Sequence, residues 1–410
     1  MPQNIKSEFV CALEKWTHAA CAGEGFFKEY EGKHYCVLHY PGRDKIDAFN
    51  EVLIKRLEAK NYDFCGAWFP DTMNFEGFNF TADANFRGAI FSANAYFGQV
   101  TFSGMANFYR ATFSKNVFFH KTTFVGQANF YKAIFHMDAY FGEVTFGAEA
   151  NFRSAIFKDY VRFVGSEEKK DFGTQSSLNL QFAHVEKPDH FSLHTLHLRP
   201  HWFINVDPRK FEFTDIAWPG RNGLKEELNS LNGRVAVPHR LLAITYRQLA
   251  INAEENHRYR EASLFRYEAF QALRTERFRG FVPWHLDWWY WLASGYGESI
   301  GRAFIVFIAL VALFALGYTR VGFEQANKEV NAPTETTQGQ ATASIPPPVE
   351  KGQPLGRLDA AIYSAYVSIL QKPEPKPFTP SAKFLVWMET LLGPAQAALL
   401  LLALRRRFMR

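Results

Sequence analysis

Between residues 64 and 163 phenylalanine recurs with a step that alternates five, six, five, six without a fault, from Phe64, Phe69, Phe75 and Phe80 through to Phe157 and Phe163, nineteen in all. Two positions before each ring from Phe86 onward stands a small or β-branched residue, ten Ala, four Val and one Thr, as in Ala84-Asn85-Phe86 and Val100-Thr101-Phe102. Residues two apart on an extended chain point to the same side, so the small residue and the ring face inward together. An eleven-residue period is also the hendecad spacing of a long helix. Steps of five and six would place successive rings about 140° apart around a helix, and the Thr, Asn, Gly and aromatic residues between them are poor helix formers. The closest self-match lies at 22 residues, where Ala84-Asn85-Phe86 returns as Ala106-Asn107-Phe108, Ala128-Asn129-Phe130 and Ala150-Asn151-Phe152. The pattern therefore predicts a mainly β protein, a four-sided solenoid with 22 residues in each coil.

This unit resembles the pentapeptide-repeat family. The resemblance implies a right-handed quadrilateral β-helix with a Leu or Phe at the centre of each five-residue side and a small residue two before it. The sequence departs from that family by one extra residue on every second side, and a cross-section bulged on two sides is expected. Phe86, Phe108, Phe130 and Phe152 should stack along one inner wall at the ~4.8 Å spacing of paired strands. Each buried ring would contribute about 1.5–3 kcal/mol. The residues just before the rings point outward and align at the same period: Asn85, Asn107, Asn129 and Asn151 in one ladder, and Tyr96, Phe118 and Tyr140, ending at Arg162, in an aromatic strip. That strip is the candidate surface for a protein partner of unknown identity. Stacking of its rings on one another without any partner is the alternative. Some relatives in the resembled family mimic DNA and bind topoisomerases, which requires an acidic face. Seven acidic against eight basic residues between Phe64 and Phe163 do not supply one.

Ahead of the repeats, Cys11, Cys21, Cys36 and His39 form the pattern C-x9-C-x14-C-x2-H. It resembles the Cys3His module of plant transcription regulators in its first gap and its terminal C-x2-H, with a longer middle gap and no basic run before the second Cys. Four such ligands suit a structural zinc, and a short C-x2-H spacing lets one turn supply two of them. His18, three residues before Cys21, could take the place of Cys11. Ordinary reduced thiols are the other reading. Asp47 to Lys60, with apolar Phe49, Val52, Leu53, Ile54 and Leu57, predicts an amphipathic helix capping the open end of the rod. Beyond Phe163 the period decays, yet Phe191-Ser192-Leu193 and Phe211-Glu212-Phe213 still read as strands, and 239–278 reads as two packed helices with a solvated or partner-binding face.

The hydropathy pattern changes in the last quarter of the chain. Arg302 and Arg320 enclose seventeen uncharged residues, Ala303 to Thr319, and a second apolar stretch runs from Phe384 to Leu404 before Arg405-Arg406-Arg407. Either is long enough to span most of a ~30 Å hydrocarbon core. Trp284, Trp288, Trp289, Tyr290 and Trp291 before the first stretch fit an interfacial belt. The C-terminal arginines place the tail in the cytoplasm, and two spans return the N-terminal rod to the same side. Leu358 to Leu370 between the spans is apolar but too short to cross. Span, short helix, then Thr379-Pro380 leading into a second span resembles the two-span pore domain of bacterial potassium channels, which implies a homo-oligomer in a bacterial inner membrane. The channel's Thr-Val-Gly-Tyr-Gly filter is replaced by Gln371-Lys372-Pro373-Glu374-Pro375-Lys376-Pro377, where proline fixes φ and lysine repels cations. Glu389 is the one acid inside a span and so a candidate functional residue, and hydrogen bonding to the short helix near Tyr363 or Tyr366 is the structural role expected of it.

The expected organisation is a Cys3His module over 1–45, a capping helix over 46–63, the β-helix over 64–163 and irregular final coils over 164–220. A helical segment follows over 221–280, then an aromatic juxtamembrane segment over 281–301 and spans at 302–320 and 384–404. A disordered extracytoplasmic loop over 321–357, a short pore-like helix over 358–370 and a basic tail over 405–410 complete it. Composition adds little: of 410 residues 47% are hydrophobic and the net charge is +5, which excludes a wholly disordered chain and gives no reason to expect nucleic-acid binding. Without a basic-then-apolar leader the N-terminal thiols should stay reduced. No nucleotide loop, nucleophile elbow or paired-His helix is present, so no enzyme is expected. The expected function is a membrane-anchored scaffold, with an ion-conducting oligomer gated by the rod as the alternative.

Overall fold

The computed structural model describes residues 10–13, 21, 24–166, 177–221, 223–231, 233, 236–277, 285–324 and 352–408. They form two compact units, divided between Glu276 and Arg277.

The first unit is built on a β-solenoid of about six turns. Its short strands stack into four parallel sheets of five, six, seven and four strands, one to each side of the coil. The register is the 22-residue period of the sequence: Ala106 pairs with Ala84 and Ala128, and Phe113 with Phe91 and Phe135. Amides of one coil donate to carbonyls of the next, as in Phe86 N to Asn107 O and Phe108 N to Asn129 O, both 2.8 Å. Parallel pairing in register brings identical rings face to face. Phe86, Phe108, Phe130 and Phe152 stack at 4.9, 4.9 and 4.6 Å between centroids, with planes within 4°. Rings on adjacent sides meet edge to face, as Phe108 does with Phe97 and Phe119. Both arrangements are favoured by the aromatic quadrupole.

The alternating step is explained at the corners. After every second ring the chain makes a β-turn whose third residue is left-handed: Gly66, Gly77 and Gly88 in the first coils, then Gln99, Arg110, Lys121, Lys132, Glu143 and Ser154. The turn closes with a hydrogen bond back to the ring residue, such as Ala111 N to Phe108 O at 3.0 Å. These are the five-residue steps. The six-residue steps absorb their added residue in a looser bend, 92–94 being one, so the strands on either side keep their register.

Helix α1, Ile46–Glu58, ends before the expected boundary at 63, and closes the N-terminal end by setting the fully buried Phe49 on Phe69 at 5.2 Å. Ile54 is not part of that buried face: it stays 56% exposed, because a three-turn helix presents only one stripe to the rod. At the other end the strands Ser177–Asn179, His184–Val185, Phe191–His197 and Glu212–Ala217 prolong the ladders as irregular coils. Helices α2 (Leu224–Leu231), α3 (Pro238–Glu255) and α4 (Tyr259–Arg277) follow. Asn252 of α3 satisfies the last coil, its Nδ2 lying 3.1, 2.9 and 2.7 Å from the carbonyl oxygens of Pro208, Arg209 and Phe211.

The second unit holds α5 (Leu286–Ser294), α6 (Ile300–Tyr318), α7 (Arg357–Ser368) and α8 (Pro380–Phe408). Two of these, α6 and α8 over Pro380–Arg406, are long and apolar enough to cross a membrane. Both begin before the apolar stretches expected at 302 and 384, taking in Arg302 and Lys383, and α8 carries the helix into the basic tail. Within 281–301, α5 ends at the left-handed Gly295 and α6 begins at Ile300; Trp284 lies outside the described residues. So does most of the loop expected to be disordered, but its two ends are fastened together, with Phe323 N donating to Gln353 O at 2.8 Å and Gln353 N to Phe323 O at 3.0 Å.

Candidate metal centre and outward ladders

The N-terminal ligand set is assembled by three pieces of chain. An antiparallel hairpin, Lys28–Tyr30 with Lys33–Tyr35, runs directly into the turn Cys36–His39, whose backbone bonds His39 N to Cys36 O (3.2 Å) and Tyr40 N to Cys36 O (3.0 Å) fold two ligands onto one side. Cys11 is carried alongside by Ala12 N donating to His34 O at 2.9 Å. The ligand atoms of Cys11, Cys21, Cys36 and His39 all lie within 4.8 Å of one another, and none of the cysteines is in a disulfide. His18 lies outside the described residues, and Cys11 occupies the fourth corner.

The spacing fits a metal. A tetrahedral zinc with Zn–S of about 2.3 Å and Zn–N of about 2.05 Å sets sulfur–sulfur edges of roughly 3.8 Å and sulfur–nitrogen edges of roughly 3.5 Å. Cys11 Sγ and Cys36 Sγ are 3.8 Å apart, and His39 Nδ1 is 3.5, 3.3 and 3.1 Å from the sulfurs of Cys11, Cys21 and Cys36. The far ring nitrogen, Nε2, sits 2.8 Å from the Cys65 carbonyl. Donating its proton there leaves Nδ1 free as a ligand and fixes the ring, as an outer-sphere partner does in metal sites. Hydrogen bonds from Cys21 and then Cys36 pull the Cys11 thiol down, while those of Cys36 to Cys11 and then Cys21, together with burial, push Cys36 up. Burial works against a charged His39, but its bonds to Cys11 and Cys21 hold it at about 9.

Two participants carry no sequence signal. Cys65 contributes a backbone oxygen, which any residue could supply. Lys45 is fully buried beside the turn, donating to Val37 O at 2.6 Å and Leu38 O at 2.8 Å under the rings of Phe49 and Trp68. Burial draws its ammonium down to about 7, opposed by the neighbouring Cys36. A dication with three thiolates is net negative, and Lys45 is the countercharge at hand.

On the rod, Tyr96, Phe118 and Tyr140 stack on each other at 4.9 and 5.1 Å with planes 6° apart, half-buried along one outer wall, and Tyr140 Oη donates to Asp138 at 2.9 Å. The Asn ladder is internally bonded: Asn107 Nδ2 reaches Asn85 Oδ1 at 3.3 Å and Asn129 Nδ2 reaches Asn107 Oδ1 at 3.2 Å. Each also accepts from the amide two residues on, an Asx-turn that sets the following corner.

Glu389 is fully buried where α6, α7 and α8 meet. Its carboxylate accepts from Tyr318 Oη, from Ser364 Oγ and, at 3.1 Å, from Ser368 Oγ. The bonds to the short helix fall beside Tyr363, at Ser364 and Ser368, and not on Tyr363 or Tyr366 themselves. Ser364 and Ser368 are one turn apart and share the face of α7 turned to α8, whereas the Tyr363 ring packs edge-on against Tyr318 and Phe323.

Comparison with known proteins fits this geometry. Residues 86–134 match the family profile described as Pentapeptide repeats, in nine copies. That stretch of the chain carries pentapeptide repeats, and the solenoid it belongs to extends well beyond the matched residues on both sides. No curated protein and no solved structure matches the chain.

Proposed function

We propose that the protein is a membrane-anchored interaction scaffold, in which a zinc-closed β-solenoid displays ladders of side chains to a protein partner on the cytoplasmic side. The observation that carries the anchor is the surface of α6 and α8, whose apolar windows are only 17% buried. A core helix of a soluble protein would be covered; these leave Phe304, Ile305, Leu313, Trp387 and Leu401 more than half exposed, which lipid accommodates and water does not. The basic C-terminal run supports the cytoplasmic orientation. The fitted tetrahedron supports zinc as a structural clamp: with four protein ligands it has no open position for chemistry. The uniform period of Tyr96, Phe118 and Tyr140 supports recognition of an extended partner laid along several coils.

The test is the full chain carrying Tyr96→Ser, Phe118→Ser and Tyr140→Ser together, compared with the unaltered chain after crosslinking in cells. Loss of specific adducts with membrane retention unchanged supports the reading, and an unchanged adduct set removes the strip from it. Unitary currents from the purified chain in a planar bilayer would replace the scaffold with a conducting assembly.

A further inference from the structure

One wall of the rod differs from the other three in what it shows to solvent. The sheet containing Ile90–Phe91, Thr112–Phe113, Ile134–Phe135 and Ile156–Phe157 turns its rings inward and Ile90, Thr112, Ile134 and Ile156 outward, with Ile90 37% exposed. No acid stands on this face. The corner along one edge carries Arg87, Arg110, Lys132 and Arg153, exposed and one to a coil, interleaved with the half-buried Tyr109 and Tyr131. The cations lie over rings: Arg87 and Arg110 over Tyr109, Lys132 over Tyr131, Arg153 over Phe182. The opposite edge adds Lys115 and Lys158 beside the exposed Met137. None of these six cations forms an ion pair among the described residues. Of the acids on that second edge, Asp138 is engaged by Tyr140 and Asp159 by Lys187 and His190, while the exposed Asp71 and Glu186 stand only at its two ends, on the first and last coils of the wall.

We infer that this wall docks on an anionic lipid bilayer. The inference rests on the anchored reading above, which keeps the rod within reach of a membrane. Three isoleucines and a threonine in the middle, tyrosines at the margin and, along both edges, lysine and arginine without an acidic partner among the described residues are the arrangement of an interfacial surface: the centre enters the acyl boundary, the rings sit at headgroup depth and the cations meet phosphate. The face is one parallel sheet whose chemistry repeats at every coil. Such a surface matches a partner that is itself uniform, a plane of headgroups, better than a folded protein with individual pockets.

The test uses the full chain reconstituted in vesicles, with a benzophenone amino acid replacing Ile134 on this wall or Thr123 on the opposite one. In vesicles rich in phosphatidylglycerol, illumination should give about five-fold more lipid adduct at 134 than at 123, and the excess should vanish in pure phosphatidylcholine or in about 1 M salt, where the Debye length is roughly 3 Å. The charge reversal R87E, R110E, K132E and R153E should abolish it as well; the salt arm makes the same test on unaltered rod. Equal adducts at both positions, an excess indifferent to lipid charge, or adducts to a second copy or another protein in place of lipid would overturn the inference. Alkaline carbonate washing of the same vesicles reads the anchor separately, so release of the chain sinks the anchored reading whatever the adduct pattern shows.

Discussion

Inside the rod each buried ring has the same neighbours as the ring one coil away, whereas in the helical unit each buried polar contact occurs once. Phe119 stacks on Phe97 and Phe141 at 5.0 and 5.1 Å, and Phe108 on Phe86 and Phe130 in the same manner. Glu389 with its three hydroxyls, Gln396 donating to the carbonyls of Ala293 and Ala303 at 2.8 Å, and Arg406 paired with Glu298 at 2.7 Å have no counterparts among the described residues of their unit. Redundant apolar contacts specify a register and tolerate local loss, because neighbouring coils still hold each other. A single polar contact in apolar surroundings specifies one arrangement of helices, and losing it exposes the cost of every group it satisfied.

The Cys3His cluster is a contact of the second kind inside the first unit, and removing the metal it would hold should give the largest change. A structural zinc in a small module supplies on the order of 10 kcal/mol. Chelation, or Cys36→Ser, is expected to abolish hydrogen-exchange protection in the hairpin and the Cys36–His39 turn while coils from Phe86 to Phe152 stay protected. The pH dependence has a definite sign. His39 at about 9 and Cys36 pushed up both hold protons at neutral pH, and metal must displace them. Affinity should therefore rise with pH by about tenfold per unit for each proton released, and lose the His39 share of that slope as pH passes the His39 value. Competition against a chromophoric chelator measures it, and a flat profile would mean that these residues are not the ligands.

Phe119→Ala comes next, at about 3–5 kcal/mol for a large ring removed from a packed interior. If repetition buffers the rod, faster exchange should reach the coils directly above and below and stop there. A change spread over the whole solenoid in a denaturant titration with exchange readout would break the comparison. Glu389→Ala should cost about 1–3 kcal/mol for each hydroxyl left without an acceptor. Glu389→Gln, which keeps an acceptor oxygen, should recover much of it in a detergent melting experiment. Gly393→Val belongs with it, since a Cβ at Gly393 would lie 2.7 Å from Ser368 Cα and would force α7 away from α8. The smallest effect is expected at Lys132, left-handed at φ 58°. Lys132→Gly relieves about 1–2 kcal/mol of local strain, partly offset by the roughly 0.4–1 kcal/mol that glycine's freedom gives the unfolded chain.

The two units also differ in how far the sequence discloses them. Phe86, Phe108, Phe130 and Phe152 announce walls, register and inward direction together, because one period governs all three. The left-handed corners at Gln99, Arg110 and Lys132 are not legible: glycine marks them only in the first coils, and in later coils residues with no turn preference adopt the same φ because the neighbouring coil imposes it. The four candidate metal ligands stand out by type and spacing, while Lys45 and the Cys65 carbonyl act through burial and backbone. Glu389 is conspicuous as the acid within a span, yet its partners Ser364 and Ser368 are small, common residues that only the packing of α7 on α8 singles out.

The membrane tether is the claim on which the rest depends, and extraction tests it most directly. Membranes from cells making the full chain, washed in alkaline carbonate and sedimented, should retain the protein in the pellet as an integral component. Recovery of the intact chain in the supernatant would mean that α6 and α8 cover each other or a partner instead of meeting lipid.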